Sequence, residues 1–239
     1  MRLVFVVPAF QAERSIQQVV TELVRESSNV PGSANPSVLV VDDGSTDRTA
    51  ALAEQAGAQV VVHGVNRGKG AALLTGFEKA HELGFTAAVT VDADGQHPTS
   101  EALVLARHPA PENALVLGVR DLLRDGAPRA SRFSNGFSNV WMSWFSRRRL
   151  SDTQCGLRRY PVAETLALGL NGTGYELEAE VILRAVRERW PVVEVPVRVF
   201  YPPQHERVSH FDAVRDPARI VSRILRTVAT SRWRSEHRP

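Results

Sequence analysis

The residues best suited to chemistry in this chain lie in the stretch "TVDADGQHPT", Thr90 to Thr99. An apolar run, Ala87 to Val91, ends in Asp92, Ala93 and Asp94, followed by Gly95 and Gln96. Adjacent residues of an extended segment point to opposite faces, so Asp92 and Asp94 share a side. Two carboxylates that close repel each other unless a proton or a cation stands between them. A divalent ion bridged to a diphosphate is the natural occupant, because Mg²⁺ typically takes one or two carboxylates together with phosphate oxygens and water. Gln96 adds an oxygen ligand or orients one. The competing reading is an acidic turn ahead of a helix that starts near Pro98.

Two other stretches carry candidate chemistry. "VVDDGSTDRTA" (40–50) puts Asp42 and Asp43 at the end of a second apolar run. Ser45 or Thr46 can cap the following helix and Asp47 favours its positive end, but capping leaves Asp42 and Asp43 unexplained. Acids at a strand end can accept hydrogen bonds from a ribose or a base. "NRGKGAALLTGF" (66–77) is a Gly-rich turn opening a helix, and its amides could bind a phosphate. Tight packing of the helix start explains it equally well. It is neither Gly-x-Gly-x-x-Gly nor the Gly-Lys-Ser/Thr loop, which counts against dinucleotide and nucleoside-triphosphate binding.

These residues need a scaffold that delivers strand ends to one edge. "LVFVV" (3–7), "SVLVV" (37–41), "AQVVVH" (58–63), "AAVTV" (87–91) and "ALVLGV" (114–119) read as buried strands, with helical patterns near 13–27, 46–56, 68–83 and 99–107. This is the βαβ rhythm of a mainly parallel sheet with helices on both faces, an α/β fold. Polar "SSNVPGSANPS" (27–37) reads as a connection. After residue 120 the rhythm gives way to an Arg- and aromatic-rich helical region, a helix in "TGYELEAEVILRAVRERW", a strand in "VVEVPVRVFY" and a last helical segment. Ligands of such sheets bind beyond the carboxyl ends of the strands, where Pro8, Ala9, Phe10, the paired acids and Asp92 all fall.

Composition narrows the class. At 239 residues and 43% hydrophobic, the chain can bury one large core, and no apolar stretch approaches the roughly 20 residues that span a bilayer. The opening "MRLVFVVPAF" is too short an apolar run for a signal sequence. Cys155 is the single cysteine, so a reducing compartment is the economical expectation. The net charge of +3 is unevenly spread: residues 120–160 hold nine Arg against three Asp, and residues 205–239 hold eight Arg against four acids. The basic second half should meet something anionic, with nucleic acid, phospholipid headgroups and a phosphorylated substrate as the classes to separate.

The run "VVPAF", "VVDDGSTD", "NRGKGAAL", "VDADGQHP", "GVR" and "DTQCGLRRY" resembles the inverting family 2 glycosyltransferases of the GT-A (Rossmann-like) fold, most of all the dolichyl-phosphate mannose and glucose synthases and bacterial polyprenyl-phosphate glycosyltransferases. The resemblance covers roughly residues 3–215. It implies that Pro8, Phe10, Val41 and Asp43 line a UDP- or GDP-linked sugar, and that Asp92 and Asp94, with Ala93 and Gln96 beside them, hold its diphosphate and a Mg²⁺ or Mn²⁺ ion. Arg120 matches a donor-side arginine. Arg129 and Arg132 match acceptor-phosphate arginines at the reaction centre, as do Arg207, Ser209 and His210 in a later phosphate-binding segment. Asp152 lies near the reaction centre as a base or as an orienter of arginines. The first motif departs from the family's Pro-Ala-Tyr-Asn-Glu-Glu: Gln11 replaces Asn and Ala12 replaces a Glu, with Glu13 the residue that can compensate.

The implied reaction moves a hexose from the nucleotide sugar to polyprenyl or dolichyl phosphate with inversion. Transfer to a soluble or glycan hydroxyl and a non-catalytic nucleotide-sugar-binding subunit are the alternatives. A nucleic-acid partner is not expected, because no nucleic-acid module is recognisable. The expected division is a catalytic domain over 1–204, with a donor half to 120 and an acceptor half from 121, followed by a basic amphipathic C-terminal segment over 205–239. Phe133, Phe137, Val140, Trp141, Trp144 and Phe145 fall on one helical face ahead of Arg147 to Arg149, and Ile220, Val221, Ile224, Leu225 and Val228 fall opposite Arg215, Arg219, Arg223 and Arg226. Helices of this kind lie in a bilayer interface or pack their apolar stripe on the sheet. The expectation is a cytoplasmic protein, peripheral on a membrane or held there by a partner subunit.

Overall fold

The Val-, Ala- and Leu-rich runs fold as strands β1 (Leu3–Ala9), β2 (Ser33–Asp42), β3 (Gln59–Val62), β4 (Ala87–Thr90) and β5 (Leu115–Arg120), joined by helices α1 (Ile16–Ser27), α2 (Thr49–Gln55), α3 (Lys69–Glu82) and α4 (Thr99–Arg107). The second half adds α5 (Arg129–Ser146), β6 (Arg158–Pro161), α6 (Val162–Ala167), α7 (Glu176–Arg187) and β7 (Val192–Val197). The structure, a computed structural model, describes residues 1–28, 30 and 33–201. Arg207, Ser209, His210, the expected boundary at 204 and the second amphipathic helix lie outside the described residues.

All seven strands join one sheet in the order β3-β2-β1-β4-β6-β5-β7. Six run parallel; β6 alone is antiparallel, pairing Thr90 of β4 with Arg158 and Val116 of β5 with Arg159. Both faces are covered, so the strands are apolar on both sides rather than alternating with polar residues. Leu3, Phe5 and Val7 pack with Ile16, Val20 and Leu23 of α1 and Leu105 of α4. The intervening Val4 and Val6 pack with Leu73 and Phe77 of α3 and Ile182 of α7. The donor and acceptor halves expected from the sequence therefore share one sheet.

Four elements differ from the sequence expectation, one of them the short helix α6, which had no counterpart in it. β2 begins at Ser33, inside the polar stretch that read as a connection. β7 stops at Val197, short of the run to Tyr201. β6 was not anticipated, because its Arg-Arg-Tyr-Pro sequence has no apolar pattern, yet Arg158 and Arg159 are fully buried. Their guanidinium groups donate to backbone carbonyls on opposite faces of the sheet, with Arg159 Nε left without a partner. Arg158 donates to Cys155, Thr153 and Glu178 at 2.7 to 2.8 Å. Arg159 donates to Leu105 at 3.2 Å and His108 at 2.7 Å, closing the carboxyl end of α4.

Candidate active site

The strand ends meet at one edge, as the parallel topology requires. β4 ends at Thr90, and the Val91 amide makes the last bond to β1, donating to Val6 at 3.0 Å. Asp92 and Asp94 therefore lie in a turn, and the strand alternation that placed them on one side does not apply. They are nonetheless close enough to interact. Burial, followed by the charge of Asp92, pushes the Asp94 carboxyl up to about 6, although the Gln96 amide donates to its Oδ1 at 2.9 Å. Burial would raise Asp92 too, but the neighbouring Lys69 ammonium and the His97 side chain hold it below the usual carboxylate range.

Lys69, the first residue of α3, reaches Asp92 Oδ1 at 2.7 Å. Gly156 packs so closely against the same carboxylate that a Cβ there would collide with Asp92 Oδ2. Asp92 is thus held by an ammonium and by bare backbone. His97 is buried, its Nε2 is 4.0 Å from Cys155 Sγ, and burial keeps it neutral down to about 4. The backbone carbonyl of Gln96 accepts the Phe200 amide at 2.8 Å, tying the acidic turn to the chain leaving β7.

This donor set fits a divalent ion that arrives with a diphosphate. Asp94 carries a negative charge that its surroundings and Asp92 both oppose, so an added cation relieves it. Among the described residues no group of three His, Cys, Asp or Glu side chains is placed to hold a metal by itself. An ion here would need its remaining oxygens from phosphate and water, the usual habit of Mg²⁺.

The other two stretches are internally employed. Asp43 is buried and accepts from the Arg67 amide at 2.9 Å, the Gly68 amide at 2.7 Å and His63 Nδ1 at 2.7 Å. It fixes the turn that starts α3. Gly68 takes φ 97, and Gly70 abuts the backbone of Thr173 and Gly174, so the Gly-rich turn is a packing device and not an open phosphate cradle. Asp42 Oδ1 accepts from the Ser45 amide at 3.2 Å. Arg48 is the N-cap residue of α2, and Asp47 ahead of it accepts from the Thr49 amide at 3.0 Å; Ser45 and Thr46 instead bind Gln11. Pro8 and Val41 are buried register partners, Phe10 is half-buried beside them, and the exposed Glu13 accepts the Arg48 amide at 3.3 Å.

Across the cleft, Arg120 ends β5 and meets Asp152 of the loop before β6. Asp152 is fully buried and accepts from Arg120 through Nε at 2.7 Å and Nη2 at 3.0 Å, from its amide at 3.2 Å, and from the Gln154 amide at 3.1 Å. Burial opposes the Arg120 charge, but these bonds outweigh it and raise its pKa. The carboxylate is saturated with donors.

Arg129 and Arg132 stand in the first turn of α5; Arg129 is exposed, and Arg132 Nε is buried without a hydrogen-bond partner. The rest of α5 inverts the usual amphipathic arrangement. Beside Met142, which is buried in the core, its inward side carries polar residues that hold the loop before β6: Ser134 accepts from Gln154 at 3.1 Å, Ser138 bonds Thr153 at 2.8 Å, and Asn139 accepts from the Thr153 amide at 2.9 Å. Its outward residues are apolar, with Phe133 79%, Val140 70% and Trp144 69% exposed. Trp141 lies within 6.0 Å of Phe137, Trp144 and Phe145, so the outer face is one aromatic cluster ahead of the exposed Arg147 to Arg149. Phe145 alone of the stripe packs against the core; Phe133, Phe137, Val140, Trp141 and Trp144 are exposed.

Lys69, His63 and Arg158 were missed in the sequence. One signal existed for Lys69: it is one of two lysines among 29 basic residues and sits between two glycines.

A mostly parallel α/β sheet with an acidic turn and a paired arginine at its carboxyl edge is the architecture of a GT-A glycosyltransferase. The chain belongs to glycosyl transferase family 2, whose model matches residues 4–160. It is 30% identical over 202 residues to an uncharacterized protein of Methanocaldococcus jannaschii, covering 82% of this chain and 80% of that one. It is 26% identical over 220 residues to the UDP-N-acetylglucosamine–dolichyl-phosphate N-acetylglucosaminyltransferase of Methanococcus voltae, covering 82% and 84%. Its fold matches glucosyl-3-phosphoglycerate synthase from Mycobacterium tuberculosis, crystallised with Mn²⁺, UDP and phosphoglyceric acid, at a TM-score of 0.71 and 17% identity over 96% of this chain and 79% of that one. No helix among the described residues is long and apolar enough to cross a membrane.

Proposed function

We infer that this protein is a metal-dependent, inverting hexosyltransferase that carries a sugar from a UDP- or GDP-linked donor to a polyprenyl phosphate at a membrane surface. The observation that carries the acceptor assignment is α5, which turns Phe133, Phe137, Val140 and Trp144 to the outside while its inner face holds the Asp152 loop. An exposed aromatic cluster bordered by arginines suits an interface where apolar chains and anionic headgroups meet. The dolichyl-phosphate activity of the Methanococcus relative supports the same acceptor class.

In this reading Pro8, Phe10, Glu13 and Val41 border the nucleotide, and Asp43 serves it indirectly by fixing the turn that bears Lys69. Asp92, Asp94 and Gln96 would hold a Mg²⁺ or Mn²⁺ ion, which supplies neutralising charge to the leaving diphosphate. Arg120 faces the donor from the opposite side, aimed by Asp152. A lipid monophosphate is already an oxyanion at neutral pH, so the acceptor needs orientation more than deprotonation. Asp152, saturated with donors, is an orienter in this scheme, and Arg129 and Arg132 receive the acceptor phosphate. Arg132 Nε, buried without a partner, is suited to that anion. Arg207, Ser209 and His210, outside the described residues, stay candidates for the acceptor phosphate through the family resemblance alone.

The test is an assay of the full chain with Mg²⁺ or Mn²⁺ and a panel of UDP- and GDP-sugars, with and without short-chain polyprenyl phosphate. Formation of a glycosyl-phosphoprenol is the expected result. Transfer only to soluble hydroxyl acceptors would replace the acceptor assignment, and nucleotide binding without any turnover would leave a binding subunit.

A further inference from the structure

Lys69 stands between two carboxylates. Its Nζ is 2.7 Å from Asp92 Oδ1 and 3.5 Å from Glu178 Oε2, and the ring of Tyr175 lies 5.5 Å away. Glu178 projects from the first turn of α7 and is buried, and its Oε1 has no hydrogen-bond partner. A buried carboxylate oxygen without a donor is costly, which makes Glu178 a ready second station for a nearby cation.

The root of Lys69 cannot shift to choose between them. The preceding Gly68 amide is fixed by Asp43 at 2.7 Å, Gly70 is pressed against Thr173 and Gly174, and the Ala71 amide donates to Thr173 at 3.0 Å. Only the long side chain can move, and the lysine stem is flexible enough to do so. Asp92 is also one of the two acids assigned to the donor's divalent ion. An ammonium 2.7 Å from its Oδ1 competes with that ion for the same oxygen and repels it.

We propose that Lys69 is an exchangeable counter-ion: it keeps Asp92 oriented and balanced until the donor's divalent ion binds, then transfers its contact to Glu178. This rests on the metal-diphosphate reading of Asp92 and Asp94. Lys69 is a positioning residue here, and Glu178 is the group that lets it withdraw. The two residues should then affect metal binding in opposite directions, which a purely structural ion pair does not do.

The experiment measures Mn²⁺ binding to the full chain in the presence of UDP or GDP, by the loss of the free-ion electron paramagnetic resonance signal, with melting temperatures recorded alongside. A partly solvated pair has a net value near the upper end for surface pairs, so K69M should bind Mn²⁺ roughly fivefold more tightly. E178Q, isosteric with the native residue, should bind it weaker by roughly the same factor, and in K69M/E178Q the Glu178 effect should vanish. If K69M does not fold, K69R replaces it; the guanidinium fork grips a carboxylate more firmly, so weaker Mn²⁺ binding than in the native chain is expected. Variants that shift Mn²⁺ binding in the same direction, or leave it unmoved while only the melting temperature falls, overturn the exchange alone. A native chain that binds no Mn²⁺ with either nucleotide overturns the donor-site reading and the exchange with it.

Discussion

Arg120 grips Asp152 at both carboxylate oxygens, Nε to Oδ2 at 2.7 Å and Nη2 to Oδ1 at 3.0 Å. The pair joins the end of β5 to the loop before β6. Both carboxylate oxygens carry donors, an arrangement that suits the proposed role of Asp152 in aiming the Arg120 cation.

The first prediction concerns that division of labour. R120M and D152N should each lower kcat, and the double variant should lose no more than the worse single one, because both remove the same oriented cation. Losses that multiply would show Asp152 acting on its own. Removing a buried ion's partner costs about 3 kcal/mol, so D152A should also melt roughly 6 to 12 °C lower in a chain of this size.

Arg158 offers a test of the loop from behind. R158M strips donors from three backbone carbonyls, those of Thr153, Cys155 and Glu178. Stranded buried acceptors cost on the order of 1 to 3 kcal/mol each, so the urea midpoint should fall clearly. Activity should fall further than stability alone explains, because Thr153 adjoins Asp152. Unchanged turnover in folded R158M would separate the loop's shape from catalysis.

The outward face of α5 predicts a change in partitioning without a change in folding. F137S/W144S alters exposed side chains, so its melting temperature should stay within about 2 °C of the native value. Each aromatic ring buried in an apolar phase is worth roughly 1.5 to 3 kcal/mol, so co-sedimentation with anionic vesicles should drop at least about tenfold. Equal sedimentation of native and variant chains would remove α5 from the membrane interface.

Cys155 and Tyr160 set the alkaline behaviour. Burial pushes the Cys155 thiol from 9.0 up to about 12 and the Tyr160 hydroxyl from 10.0 up to about 12. Both hold their protons more tightly folded than unfolded. Their contribution is therefore fully present below about pH 9 and is lost as pH rises toward 12, when the unfolded chain ionises first. At pH 8 only about one thiol in ten thousand is thiolate, so iodoacetamide should label Cys155 in denaturant and leave the native chain unlabelled over the same interval. Rapid native labelling would contradict the buried position.

The sequence carried the parallel strands because burial on both faces leaves continuous Val-rich runs, and those runs end where the acids begin. The Asp92 and Asp94 turn was equally plain. What it did not carry depends on partners distant in the chain. Arg158 and Arg159 look like surface residues until the carbonyls of Thr153, Glu178, Leu105 and His108 converge on them, so β6 had no pattern to read. Asp43 reads as an acid at a strand end, and nothing in its neighbourhood announces His63, twenty residues on, as its partner. Lys69 was hidden in a turn whose glycines drew attention to its backbone. For α5 the spacing was legible but its orientation was not: an apolar stripe implies burial by default, and only the Ser134, Ser138 and Asn139 bonds to the loop decide which side faces in.

That orientation makes α5 a mechanical coupling. One residue of helical rotation is about 100°, enough to carry Ser134, Ser138 and Asn139 away from Thr153 and Gln154. A surface that seats the aromatic side thus restrains the angle of the helix, and through it the loop that aims Arg120. Under the proposed function, lipid would act as a jig as well as a source of acceptor, and its effect would be felt in kcat before KM.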